Sequence, residues 1–174
     1  MKMYDSFIEL KPEQITENPF KLVGADWMLV TAGNKDSFNM MTAGWGGFGI
    51  LWNKKICFCL VRPSRYTYEF LEKSDTFTLT FFDQNQRSIL DFCGKYSGRD
   101  YNKAAETGLT AVETKNGSVF FNEARLVIEC RKIYYQDVDP SNFVDPEIDA
   151  RCYPKNDYHR MYVGEIISCL KKNK

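Results

Sequence analysis

The chain has 174 residues, with 23 Lys plus Arg set against 23 Asp plus Glu, so its formal net charge is zero. That balance argues against a surface made chiefly to hold nucleic acid by charge, which needs a basic excess, and the length suits one domain, 1–174, with a core of its own. Aromatic residues make up 15% of the chain, including 13 Phe and 10 Tyr, which points to a β-rich core or a stacking site. In chain order, residues 1–20, with Pro12 and Pro19, read as an N-terminal arm or short covering strand. WMLVTAG from Trp27 reads as a strand, NKD as a hairpin turn and SFNMMTAGW as its return. GFGILW either continues that strand or pairs back across Gly46 and Gly47. NKK from Asn53 turns the chain into ICFCLV, apolar on both faces and therefore deep in a sheet or barrel.

SRYTYEFLEKS predicts a short helix capped by Ser64. DTFTLTFFD alternates cleanly, with Phe77, Leu79 and Phe81 on one face and Thr76, Thr78 and Thr80 on the other. Asp83 with Gln86 opens a helix that ends at Gly94, and Asp100 opens another that stops at Gly108. SVFF, EARLVIECRKIYYQDVD and HRMYVGEIISCLKK read as strands, with a Pro- and Asp-rich loop before the last. Few short helices among many strands suit a small closed β-barrel, mainly β, with helices inserted between strands.

The opening residues lack the apolar centre of an export signal, and no stretch approaches a membrane span. The expectation is a cytoplasmic protein whose six cysteines stay reduced. Cys57 and Cys59 share a strand face and read as core packing, not metal ligands, since His159 is the only histidine available to help. No GxSxG, HExxH, GxxxxGK[ST] or helix-opening GxGxxG occurs. Two segments at helix entrances could instead grip an anion: RPSRYT, from Arg62 to Thr67, and SGRD, from Ser97 to Asp100. Beside them lies SFNMMTAGWGGFGILW, whose four glycines open the main chain, either to a flat ligand or to a β-bulge at a barrel corner.

NMMTAGWGG, RPSRYTYEFL, CGKYSGRDYNK and HRMYVGEI, in that order, resemble the flavin reductase-like family, which includes flavoredoxin. The resemblance runs from about Phe20 to Leu170 and implies an FMN-binding split β-barrel, a homodimer and non-covalent FMN near the subunit interface. It implies that Asn39, Met41, Thr42 and Trp45 line the isoalloxazine ring and that main-chain amides from Asn39 to Ala43 meet its polar edge. It implies that Arg62, Ser64, Tyr66 and Thr67 hold the phosphate and ribityl chain, with Ser97, Arg99 and Lys103, and that His159 neighbours the flavin. The reaction implied is electron transfer from NADH or NADPH through flavin N5 to an acceptor, with no obligatory catalytic side chain because the cofactor carries the chemistry. Lys103, Arg62 or His159 would supply positive charge near the reduced ring. The alternatives are a non-enzymatic FMN electron carrier docking on a redox protein partner, and a flavin-free binding barrel.

Overall fold

A computed structural model describes residues 6–173. Ten strands and four α-helices follow one another: β1 (Phe7–Leu10), β2 (Met28–Asn34), β3 (Ser37–Ala43), β4 (Gly46–Leu51), β5 (Lys54–Val61), α1 (Tyr66–Lys73), β6 (Thr76–Phe81), α2 (Arg87–Lys95), α3 (Lys103–Thr107), β7 (Ala111–Glu113), β8 (Val119–Phe121), β9 (Leu126–Asp137), α4 (Pro146–Cys152) and β10 (Arg160–Lys172). The main sheet is antiparallel, ordered β3-β2-β6-β9-β10-β5-β4, with β1 added to β10. Its two terminal strands, β3 and β4, are consecutive in sequence and joined only by Gly44 and Trp45. So short a link makes the sheet curl until its two terminal strands come together at the Gly44–Trp45 corner, without a ladder between them among the described residues, which is the barrel the strand pattern predicts.

Alternation along each strand divides the core. Met28, Val30 and Ala32 of β2 and Phe77, Leu79 and Phe81 of β6 fill the barrel. Leu29 and Met40 point outward into a second cluster with Leu90, Phe120 and Phe121. The threonine face of β6 is buried too, because the β7–β8 hairpin lies on it and Thr78 Oγ1 donates to the Val119 carbonyl at 2.6 Å. Cys57, Cys59, Cys130 and Cys169 are buried in the barrel, and burial raises the Cys59 and Cys130 pKa values, keeping those two thiols protonated.

Several boundaries move. Arg65, not Ser64, is the N-cap of α1, and it makes no side-chain cap bond. Asn102, not Asp100, caps α3, with its side chain accepting from the Ala105 amide at 3.2 Å. Asp83 precedes a 3₁₀ turn, Gln84–Gln86, and α2 begins after it, running one residue past Gly94. The Pro- and Asp-rich loop contains α4, whose N-cap Asp145 accepts from the Glu147 amide at 3.0 Å. GFGILW pairs back on β5, through a turn whose Trp52 and Asn53 both have positive φ.

Candidate functional site

At the corner where β3 passes into β4, a cavity of about 560 Å³ opens, a size that suits a small-molecule ligand. Met41, Thr42, Ala43 and Gly44 form one side. Among the described residues β2 is the one sheet partner of β3, so the main-chain groups on its outer edge are left outside the sheet ladder. The facing wall is Leu90, Asp91 and Gly94 of α2. Thr42 Oγ1 ties strand to helix by donating to the Leu90 carbonyl at 2.5 Å, and a Cβ on Gly94 would stand 3.3 Å from Thr42 Cβ. Trp27 closes one end, with its ring only 3.0 Å from where a Gly44 Cβ would lie. Trp45 stands at the rim, 45% exposed.

Three cations serve this region differently. Arg62 donates to the carbonyls of Asp157 at 3.1 Å and Cys152 at 2.9 Å, pairs with the Asp157 carboxylate and lies over the Tyr153 ring. Arg65 donates to the Gly94 carbonyl at 2.8 Å and has no carboxylate partner among the described residues. Lys103, 4% exposed, donates to the Cys93 carbonyl at 3.0 Å. Arg65 and Lys103 thus satisfy carbonyls at the negative end of α2. Burial, with Arg65 adding to it, lowers the Lys103 pKa to about 8.

His159 lies in the cavity wall, 8% exposed, with Nδ1 2.9 Å from the Tyr153 hydroxyl and its ring 5.0 Å from that of Trp45. Burial first, then the Arg62 charge, lowers its pKa to about 4. The imidazole is therefore neutral near pH 7.

Residues 21–174 match the family described as Flavin reductase like domain. The chain belongs to the flavin reductase-like family. Flavoredoxin from Methanosarcina acetivorans is similar in structure, with a TM-score of 0.65, 21% identity, and coverage of 85% of this chain and 69% of that one. The FMN-binding domain of a flavin reductases-like enzyme from Shewanella baltica OS155 gives a TM-score of 0.68 at 17% identity, covering 95% and 77%. An NADH:FAD oxidoreductase of Streptomyces globisporus gives 0.63 at 14% identity, covering 84% and 75%. At such identities the likeness concerns the fold. A search of curated proteins returns no match.

In this flavin reductase-like chain, Met41, Thr42, Ala43, Trp45, Arg62 and His159 line the cavity together. Asn39 and Thr67 sit outside its lining as a buried pair, Asn39 Nδ2 donating to Thr67 Oγ1 at 2.8 Å. A Cβ on Gly98 would overlap Asn39 Oδ1, so this glycine lets the SGRD loop press on β3. Ser64 is exposed in the turn before α1. Tyr66 lies under the Arg99 guanidinium, which pairs with Glu69, and Ser97 Oγ accepts from the Arg99 amide at 3.1 Å. Lys103 donates to the Cys93 carbonyl of α2 and sits outside the cavity lining. The two segments at helix entrances meet through Arg99 over Tyr66 and through Gly98, Asn39 and Thr67, and the cation of the cavity wall with no carboxylate partner among the described residues is Arg65. Arg65 lies within RPSRYT, where the signal was available; Trp27 gave none, because its positive φ and its place under the Gly44 corner are tertiary facts. Gly46 and Gly47 pack on Phe58, not on the cavity.

Proposed function

We propose that the protein binds FMN in this cavity and acts as an NAD(P)H-dependent flavin oxidoreductase. The observation that carries the reading is the open outer edge of β3 beside a cavity into which Arg65 presents a guanidinium with no carboxylate partner among the described residues. A flat ring with polar edge atoms needs main-chain donors and acceptors within reach, and a phosphate needs a cation free to turn to it. Met41, Thr42, Ala43 and Gly44 would lie along the ring, Trp45 would screen it from water, and Arg65 would hold the phosphate. Arg62 keeps the 152–157 segment against the cavity, and neutral His159 adds a polar group to the wall. Bound there, FMN would accept hydride from NADH or NADPH and release electrons to an acceptor. The FMN-binding and NADH-dependent descriptions of similar structures support this choice of cofactors. A homodimer with the flavin near its interface belongs to the same reading.

The test is purification, an absorbance spectrum and FMN titration, followed by NADH and NADPH without oxygen. The expected result is a yellow protein, or one that takes up FMN, bleached by one of the two nucleotides. Arg65→Ala should weaken FMN binding at least about tenfold, the worth of one charge-assisted contact, and Arg99→Ala should weaken it less. A protein that takes up no FMN ends the proposal in favour of a flavin-free barrel. Bound FMN that neither nucleotide bleaches favours the electron carrier.

A further inference from the structure

His159 keeps one polar atom uncommitted. Nδ1 is engaged by the Tyr153 hydroxyl at 2.9 Å, while Nε2 has no hydrogen-bond partner among the described residues, in a side chain 8% exposed on the cavity wall. Tyr153 is buried as well, and Nδ1 is the one acceptor its hydroxyl reaches among the described residues. A buried phenol donates where it can. A neutral imidazole has a single N–H, so an accepting Nδ1 puts the proton on Nε2.

We propose that Tyr153 is a positioning residue that holds His159 as the Nε2–H tautomer, so that the imidazole offers a neutral hydrogen-bond donor to an acceptor atom of the cavity ligand. The donor role rests on the proposed function; the tautomer does not. Trp45, packed 5.0 Å from the imidazole, hinders a ring flip that would exchange the two nitrogens. The charged and titratable groups around His159 are Arg62 at the end of β5, Arg65 before α1, Tyr153 and Asp157 in its own loop, and Asp91 across the cavity on α2. The two guanidinium groups and burial outweigh Asp157, so the donor stays neutral well below pH 7.

Because the chain has one histidine, ¹⁵N-histidine labelling reports on this site alone. Long-range ¹H–¹⁵N spectra of the ligand-free protein should show the neutral Nε2–H pattern from about pH 6 to about pH 8, with the Nδ1 resonance displaced as in a hydrogen-bonded acceptor. An Nδ1–H pattern, or an imidazolium in that range, overturns the assignment. Tyr153→Phe should turn the single tautomer into a mixture; retention of pure Nε2–H would remove Tyr153 from the role. Should that variant not fold, the wild-type Nδ1 shift still decides, since an undisplaced resonance means no bond from the phenol. Adding FMN should shift the Nε2–H proton. Bound FMN with that proton unmoved overturns the donor role. If FMN does not bind, the donor role falls with the proposed function, while the tautomer stands or falls on the ligand-free spectrum.

Discussion

Lys103, which the family resemblance implies at the phosphate, has a structural partner at the end of α2. Its ammonium meets the Cys93 carbonyl at the end of α2 and is almost wholly buried. Burial lowers its pKa from 10.5 to about 8. A base with a depressed folded pKa is protonated in the unfolded chain over a range where the folded chain has already lost the proton. The unfolded state then binds more protons, so stability contributed at this site rises with pH from about 8 to about 10.5 and is lost again as pH falls through that window. Unfolding by urea at about pH 7 and about pH 9.5, compared between wild type and Lys103→Met, should move the difference in favour of wild type by about 1–2 kcal/mol at the higher pH. Parallel pH curves would show that the ammonium is better solvated than its burial indicates. The residue type and position of Lys103 were legible in the sequence. Its partner was not, because the end of α2 comes within reach only once α3 has folded back on it.

Among the elements, strands were read more surely than helix boundaries, for a physical reason. The alternation of Phe77, Leu79 and Phe81 reports directly which side chains enter the barrel, and the structure puts them there. Caps depend on one side chain meeting one amide, and Ser64 and Asp100 each had a neighbour that took the position. The signal for α4, Asp145 followed by Pro146 at its first position, was present but lay among prolines and aspartates that also spell loop. The glycine run is legible as opened main chain but its packing is not, because each glycine answers to a different tertiary neighbour: Gly44 to Trp27, Gly46 and Gly47 to Phe58. Gly164, in β10, carries no local signal in the sequence. It sits at a register shift between β10 and β9, and a Cβ there would stand 2.6 Å from Cys130 Cβ and 2.7 Å from Phe77 Cζ. Both neighbours belong to the barrel interior and cannot turn aside. Gly164→Ala should therefore lower the unfolding free energy by about 1–3 kcal/mol, read from the urea midpoint at unchanged slope. Wild-type stability in this variant would mean that the β10 bulge can open without loss.

At the scale of the whole molecule, the strands that close the barrel also carry the surface on which the proposed homodimer would form. Closing the sheet through Gly44 and Trp45 leaves β4 as an edge whose hairpin turn carries Ile50, 71% exposed, and Trp52, 58% exposed, with Leu51 between them. Trp52 packs edge-on against Tyr134 of β9, and Ile50 borders an apolar groove of about 340 Å³ lined by Pro12, Ile15, Pro19, Phe48 and Ile166. Single exposed apolar residues are ordinary, but a contiguous group on an edge strand invites a partner. The proposed homodimer would cover this patch, and Trp45 at the cavity rim lies at the other end of the same strand edge, so pairing there would also bear on flavin retention. Light scattering on the eluting protein at tens of micromolar should give twice the 20.2 kDa of the chain. The double variant Ile50→Asp, Trp52→Asp should give the single mass while keeping the far-ultraviolet spectrum of the folded barrel, because a buried unpaired carboxylate opposes association and neither side chain supports the core. The monomer so produced should release FMN faster than wild type. A wild-type monomer across that concentration range would remove the dimer. A variant that stays dimeric would move the interface away from β4.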